Sequence, residues 1–223
     1  RLITALLFKE FLYMLYYMIT VIKSPFVQYK LTILRNKKTS NTVFRQTMNE
    51  TSYLIAAEVL QHLPYKKIKV QTPLKYTNGT TLSKQIILVP ILRAGLGLLE
   101  GFAKFLPDAE KGHIGLYRDE QTYEPVEYLF KLPKIKNKKI LILDPMLATG
   151  NSSIAAIDLI RNKGANIKDI FLISLLAAPE GLKNIQKKQK DIHIFTCSID
   201  SKLDRNKFIL PGLGDAGDRY MGT

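Results

Sequence analysis

Lys138-Lys-Ile-Leu-Ile-Leu-Asp-Pro-Met-Leu-Ala-Thr-Gly-Asn-Ser-Ser153 reads as a buried strand, an acid at its end, a loop of small residues and the first turn of a helix. Ile140 to Leu143 are a continuous apolar run of strand length, and Ile154, Ile157 and Ile160 then recur at helical spacing until Gly164 stops the pattern. Such a loop aims the free N–H groups of a helix's first turn, and the positive end of its dipole, at any anion lying there. Ala148, Thr149, Gly150, Ser152 and Ser153 suit that task, because small residues admit an anion to the backbone and hydroxyls add donors. Asp144 does not, being an anion beside an anion site. Its placement makes sense if the phosphate hangs from a sugar whose hydroxyls donate to the carboxylate.

Two other nucleotide loops are excluded, since the stretch contains neither G-x-x-x-x-G-K-[ST] nor G-x-G-x-x-G. Strand, acid, short loop, Thr149-Gly-x-Ser152 and helix resemble instead the diphosphoribosyl-binding loop of type I phosphoribosyltransferases. Most members carry two adjacent acids where this chain has Asp144-Pro145. The form Asp144-Pro-Met-Leu-Ala-Thr-Gly150 is similar to the uracil phosphoribosyltransferases in particular.

Three further segments stand in the order and approximate spacing of that family: Val89-Pro-Ile-Leu-Arg-Ala-Gly-Leu-Gly97, Leu116-Tyr-Arg-Asp-Glu-Gln-Thr-Tyr-Glu-Pro-Val-Glu-Tyr128, and Phe208-Ile-Leu-Pro-Gly-Leu-Gly-Asp-Ala-Gly-Asp218. The resemblance runs from about Ile22 to Thr223. It departs at Asn151, where the family usually has a second glycine; asparagine tolerates positive φ better than most residues. What the resemblance implies is transfer of the phosphoribosyl group of 5-phosphoribosyl 1-diphosphate (PRPP) to uracil. PRPP would lie against Arg93, Arg118, the loop Asp144, Pro145, Met146, Leu147, Ala148, Thr149, Gly150, Asn151 and Ser152, and Asp215. Uracil would lie against Ile209, Gly214, Asp215 and Ala216. Magnesium would travel on the diphosphate with no dedicated protein cage, GTP is admitted as an activator, and a cytoplasmic homo-oligomer is implied.

The residues independently fit these roles. Arginine presents a planar fork to diphosphate oxygens, and Arg93 and Arg118 each follow a strand; the plainer alternative is two surface arginines. Three glycines between Pro211 and Gly217 are too many for a helix or central strand, so this tail is an irregular loop able to offer backbone donors and acceptors to a flat base; a structural turn is the alternative. Arg118 to Tyr128, between two strand-like pieces, reads as an arm that covers the site or joins subunits.

A length of 223 residues with 46% hydrophobic content suits one α/β domain with its own core. Lone Cys197 reads as a small buried residue, and His62, His113 and His193 lack metal-ligand spacing. The net charge of +14 is spread over lysine-rich turns and helix faces without a recognition module, so no nucleic-acid partner is expected. An RNA-binding regulator on the same fold stays open, as do a purine enzyme, disfavoured by the single acid, and a degenerate inactive member. Leu2 to Ile22 is almost wholly apolar except for Lys9-Glu10. Residues 1–21 are expected to lie upstream of the natural start, ahead of a phosphoribosyltransferase domain spanning 22–223; a packed helix ranks second and a membrane span last.

Beyond that segment the pattern predicts a parallel sheet flanked by helices, with a β-hairpin arm and a C-terminal base-binding loop. Strands are expected at Ile86–Val89, Ile114–Tyr117, Ile140–Leu143, Ile170–Leu176 and Ile192–Thr196, and helices at Val43–Leu60, Leu96–Leu106, Ser152–Asn162 and Pro179–Lys188. Asn78-Gly79 predicts the turn of a hairpin between Lys67–Tyr76 and the residues after Thr80.

Overall fold

The computed structural model describes residues 18–118 and 125–223, with the Arg118 side chain outside that description. In chain order the elements are β1 (Ile19–Val21), α1 (Pro25–Arg35), α2 (Asn41–Leu60), β2 (Tyr65–Gln71), β3 (Tyr76–Leu82), β4 (Ile86–Leu92), α3 (Leu96–Phe105), β5 (Glu110–Lys111), β6 (His113–Arg118) and β7 (Pro125–Lys131). There follow β8 (Lys139–Leu143), β9 (Met146–Leu147), α4 (Asn151–Asn162), β10 (Ile170–Ala177), α5 (Pro179–Lys188), β11 (His193–Ile199), β12 (Lys202–Leu203), β13 (Ile209–Leu210) and α6 (Ala216–Met221).

The main sheet runs β1-β11-β10-β8-β4-β6-β7 and is parallel except where β7 returns antiparallel to β6. Alternation along β4 and β8 explains the layers. Leu88, Leu141 and Leu143 share one core with Leu31, Phe44, Met48 and Phe102 of α1 to α3. Ile87, Val89, Ile140 and Ile142 share the other with Ile154, Ile157 and Ile160 of α4 and Leu182 and Ile185 of α5. Strands covered on both faces have to be apolar throughout, and β8 and β10 are buried at every position. Cys197 is buried in the first core, where burial pushes its thiol pKa up, so it is a packing residue and not a nucleophile.

The expected sheet strands and helices all form, with ends shifted by at most three residues. Helix α1 is absent from the expected set although its signal is present: Ser24-Pro25 at the start and buried Val27, Leu31 and Leu34 on one face. The hairpin forms, but its turn is not at Asn78-Gly79. Those residues lie inside β3 opposite Lys69 and Ile68, and neither has the positive φ that a two-residue Asn-Gly turn requires. The chain reverses at Thr72-Pro73-Leu74-Lys75. There the Thr72 hydroxyl accepts from the N–H groups of Leu74 at 3.2 Å and Lys75 at 3.1 Å, and Pro73 supplies a fixed φ.

Residues 1–17 and 119–124, holding most of the apolar segment and the tip of the arm, lie outside the described residues. The sheet begins ahead of the expected boundary at Ile22: Ile19, Thr20 and Val21 pair with Ile194, Phe195 and Thr196. Among the described residues no helix is long and apolar enough to cross a membrane.

Candidate active site

The carboxyl ends of β4, β6 and β8 open onto a cleft of about 860 Å³, the place where parallel sheets hold ligands. It is lined by Ile91 to Ala94 at the end of β4, Leu116 and Tyr117 of β6, Tyr128 of β7, and most of the segment from Asp144 to Ser153. Its far wall comes from Asn206 to Ile209 and Gly214 to Gly217. The structure therefore brings three of the four motif segments to one cavity, together with both strands of the fourth.

Gly150 makes the loop possible. It sits at the start of α4 with φ of +80°, and a Cβ there would stand 3.0 Å from the Gly181 carbonyl oxygen and from Ile185 Cγ1. Gly150 has no side chain to cap α4, and the one side-chain acceptor at its start is the Thr149 hydroxyl, 3.4 Å from the Asn151 N–H, which leaves the Ser152 and Ser153 N–H groups for an anion. Helix α5 braces the loop from behind. Gly181 approaches so closely that a Cβ on it would lie 2.2 Å from the Ala148 carbonyl oxygen, and Asn184 Nδ2 donates to the Thr149 carbonyl at 2.9 Å.

Asn184 Nδ2 also donates to Asn151 Oδ1 at 3.0 Å. Asn151 is the first residue of α4 and has no positive φ, so the position does not need glycine; Gly150 alone carries the left-handed turn. The side chain of Asn151 faces α5 and does not line the cleft.

Asp144 lines the cleft and is partly buried; its Oδ2 accepts from the Ser153 hydroxyl at 2.8 Å. Burial raises its carboxyl pKa to about 6, against the opposing hydrogen bonds from the Ser153 hydroxyl and the Met146 N–H. Met146, Ala148, Thr149, Gly150 and Ser152 line the cleft as well, whereas Pro145 and Leu147 do not. Their carbonyls point into the sheet, accepting from Leu175 and Leu176 and from Ala178 respectively, and so hold the loop's base.

Arg93 reaches the cleft from β4 and pairs with Asp218 Oδ1 at 2.9 Å, both side chains about half exposed. Arg118 ends β6, its backbone paired with Pro125. Ile209, Gly214, Asp215 and Ala216 all line the far wall. Gly214 has φ of +81°, and Asp215 Oδ1 accepts from the Asp218 N–H at 2.9 Å, opening the short helix α6.

Other cleft residues lie outside the set expected from sequence, among them Tyr117, Tyr128, Asn206, Lys207 and Phe208, whereas Ser153 belongs to the expected anion loop. Tyr117 and Tyr128 face each other across the arm, ring centroids 6.3 Å apart. Among the described residues no group of three or more His, Cys, Asp or Glu side chains stands together as metal ligands; the cleft carboxylates Asp144 and Asp215 come from separate loops.

Residues 21–223 match the family model described as uracil phosphoribosyltransferase. A uracil phosphoribosyltransferase of Streptococcus salivarius is 50% identical over 206 residues, covering 91% of this chain and 97% of its own. That of Clostridioides difficile is 45% identical over 201 residues, covering 89% and 95%. A solved structure from Aquifex aeolicus superposes with a TM-score of 0.85 at 36% identity, covering 91% of this chain and 97% of the other.

Proposed function

Because this chain belongs to the uracil phosphoribosyltransferase family and converts uracil and PRPP to UMP and pyrophosphate, we propose that the transfer takes place in the cleft at the carboxyl ends of β4, β6 and β8. The observation that carries this placement is an uncapped helix start and a carboxylate meeting on one cavity wall, opposite a glycine-rich loop. An anion and a polyol on one molecule answer that combination. The loop from Met146 to Ser152 takes the 5′-phosphate, Asp144 accepts from the ribose hydroxyls, and the tail from Ile209 to Ala216 presents backbone groups to uracil.

Uracil N1 attacks C1′ of the ribose while the C1′–O bond to diphosphate breaks and its electron pair leaves with pyrophosphate. The N1 proton passes to water or a substrate oxygen, since among the described residues no side chain of the cleft stands out as a base. Arg93 and Arg118 stabilise the departing charge, which requires Arg93 to exchange Asp218 for diphosphate. Asp215 is the cleft carboxylate that would meet a magnesium ion carried on the diphosphate, which would supply charge neutralisation for the leaving group; a cation held mainly by phosphate oxygens suits so sparse a donor set. The arm bearing Tyr117 and Tyr128 excludes water from the ribosyl cation-like centre. The catalytic domain is assigned to residues 22–223, with β1 just ahead of that span adding the outer strand of its sheet.

Assembly into a homo-oligomer is supported by the β2–β3 hairpin, which exposes Tyr65, Ile68, Val70, Leu74 and Tyr76, Leu74 at 94%. A cytoplasmic setting rests on the single unpaired cysteine, and GTP activation on family resemblance alone.

Base competition tests the reading of the tail. Cytosine, adenine and hypoxanthine should each be far poorer substrates than uracil, because mismatched polar groups stay buried and unpaired. Hypoxanthine or adenine turnover equal to uracil's would remove the base-loop assignment. A second prediction concerns the N-terminus. A chain lacking residues 1–17 keeps Met18, whose carbonyl accepts from the Ile194 N–H at 2.8 Å, and should remain soluble with unchanged UMP formation. Aggregation or lost activity would make the deleted segment part of the folded unit.

A further inference from the structure

The loop read as the uracil site is fastened from behind by a charged network that no cleft-lining residue belongs to. Arg35, the last residue of α1, forks onto Asp200 at the end of β11: Nη2 to Oδ1 at 2.6 Å and Nη1 to Oδ2 at 2.7 Å. The same Nη1 donates to the Gly212 carbonyl at 2.8 Å, while Asp200 Oδ2 accepts from the Gly212 N–H at 2.9 Å. Both polar groups of one peptide residue in the base loop are thus taken by the two halves of an ion pair. The Ser198 hydroxyl completes it, donating to Asp200 Oδ1 at 2.9 Å.

The Asp200 side chain is only 3% exposed, so this is a sequestered carboxylate held by four hydrogen bonds. Burial works to raise its pKa, but Arg35, the Gly212 N–H and the Ser198 hydroxyl together hold it below the usual carboxylate range. Gly212 fits because it has φ of +58° and because a Cβ would lie 2.0 Å from the Ile209 carbonyl oxygen. The loop therefore folds back on itself here, bringing Ile209 and Gly214 to the cleft from either side of the fastened residue.

A second arginine acts next to the first. Arg219 donates to the Leu213 carbonyl at 2.7 Å and to the Asn36 carbonyl at 2.9 Å, with its guanidinium 4.2 Å from the centre of the Phe44 ring. Two consecutive carbonyls of the tail, Gly212 and Leu213, are each claimed by an arginine against the C-terminal end of α1.

We propose that Arg35 and Asp200 are positioning residues for the base: their ion pair fixes Gly212 and so sets the backbone of Ile209 and Gly214 that reads uracil. Neither touches substrate. The inference rests on the tail being the base site, and concerns uracil capture and selectivity, leaving PRPP to the loop after β8, which shares none of this network's hydrogen bonds. An ion pair can discriminate where an apolar contact could not, because a bidentate guanidinium fixes direction as well as distance.

The test is steady-state UMP formation by Asp200→Asn and Arg35→Lys, varying uracil at saturating PRPP and then PRPP at saturating uracil. Asp200→Asn keeps the shape and an acceptor for Gly212 but loses the charge, and Arg35→Lys keeps the charge but loses the fork. For Asp200→Asn the uracil KM should rise by about tenfold or more, the loss of roughly one charge-assisted hydrogen bond. Arg35→Lys should give a smaller rise, the PRPP KM should stay within about twofold for both, and selectivity for uracil over cytosine should fall. A role confined to stability lowers the melting temperature while leaving the KM ratio and the selectivity where they were, and that result overturns the proposal. So does an equal rise in both KM values. If Asp200→Asn does not fold, Arg35→Lys decides by the same criteria. Failure of the parent enzyme to prefer uracil would instead overturn the assignment of the tail, separately from this network.

Discussion

Gly181→Ala is expected to lower kcat/KM for PRPP by about tenfold to a hundredfold and to lower the melting temperature, although alanine normally improves a helix. In an ordinary helix the exchange stabilises by roughly 1 kcal/mol. Gly181 lies in the first turn of α5, where a Cβ would meet the Ala148 carbonyl oxygen at 2.2 Å and the Leu147 carbonyl oxygen at 3.0 Å. Neither is the far end of a flexible side chain; both are backbone of the loop assigned to the 5′-phosphate. Relief requires the loop or the helix to move by about an ångström, and overpacking of that kind costs about 1–3 kcal/mol, more than the propensity gain. A displacement of that size at a binding loop is enough for about a hundredfold loss of rate. PRPP-varied kinetics beside thermal melting decide it. A Gly181→Ala enzyme as active as the parent and more stable would mean that α5 does not hold the loop in place.

That bracing helix also shows where sequence reading stops. Pro179–Lys188 is legible as a helix, with proline at its start and Leu182 and Ile185 on one face, but nothing in the sequence says that Gly181 faces Ala148 or that Asn184 reaches Thr149 and Asn151. Local patterns report elements; contacts between elements distant in sequence come from packing. For the same reason the loop after β8 could be read almost whole, because strand, acid, glycine and helix start lie within sixteen consecutive residues, whereas the fastening of the tail by Arg35 and Asp200 joins residues 165 apart. Asn151 illustrates the reverse. Its departure from the family pattern suggested a strained turn, yet the strain belongs to Gly150 one residue earlier. The Asn78-Gly79 signal failed because a threonine-proline turn five residues before it closed the hairpin first, placing both residues in a strand.

Asp144→Asn should separate function from stability in opposite directions. With its carboxyl pKa raised to about 6 by burial, the free enzyme holds the Asp144 proton more tightly than an unfolded chain, whose value stays near the ordinary 3.8. The stability this provides is complete below the unfolded value and disappears as pH rises through about 6. At pH 7.5 the parent therefore carries an ionised, desolvated carboxylate that disfavours the fold by on the order of 1 to 3 kcal/mol. Asparagine removes that charge while keeping an oxygen for Ser153. The variant should melt higher than the parent at pH 7.5 and alike near pH 4. Its kcat/KM for PRPP should nevertheless fall by about tenfold to a hundredfold, because charge-assisted hydrogen bonds to ribose are worth roughly 1.5–3 kcal/mol. The pH profile sharpens the test. Parent kcat/KM for PRPP should decline below about pH 6 as Asp144 takes up its proton, on top of any titration of the substrate phosphate, and the variant should keep only the substrate's share. Equal kcat/KM in the two enzymes, with matching profiles, would make Asp144 a strand-end residue with no part in holding the sugar.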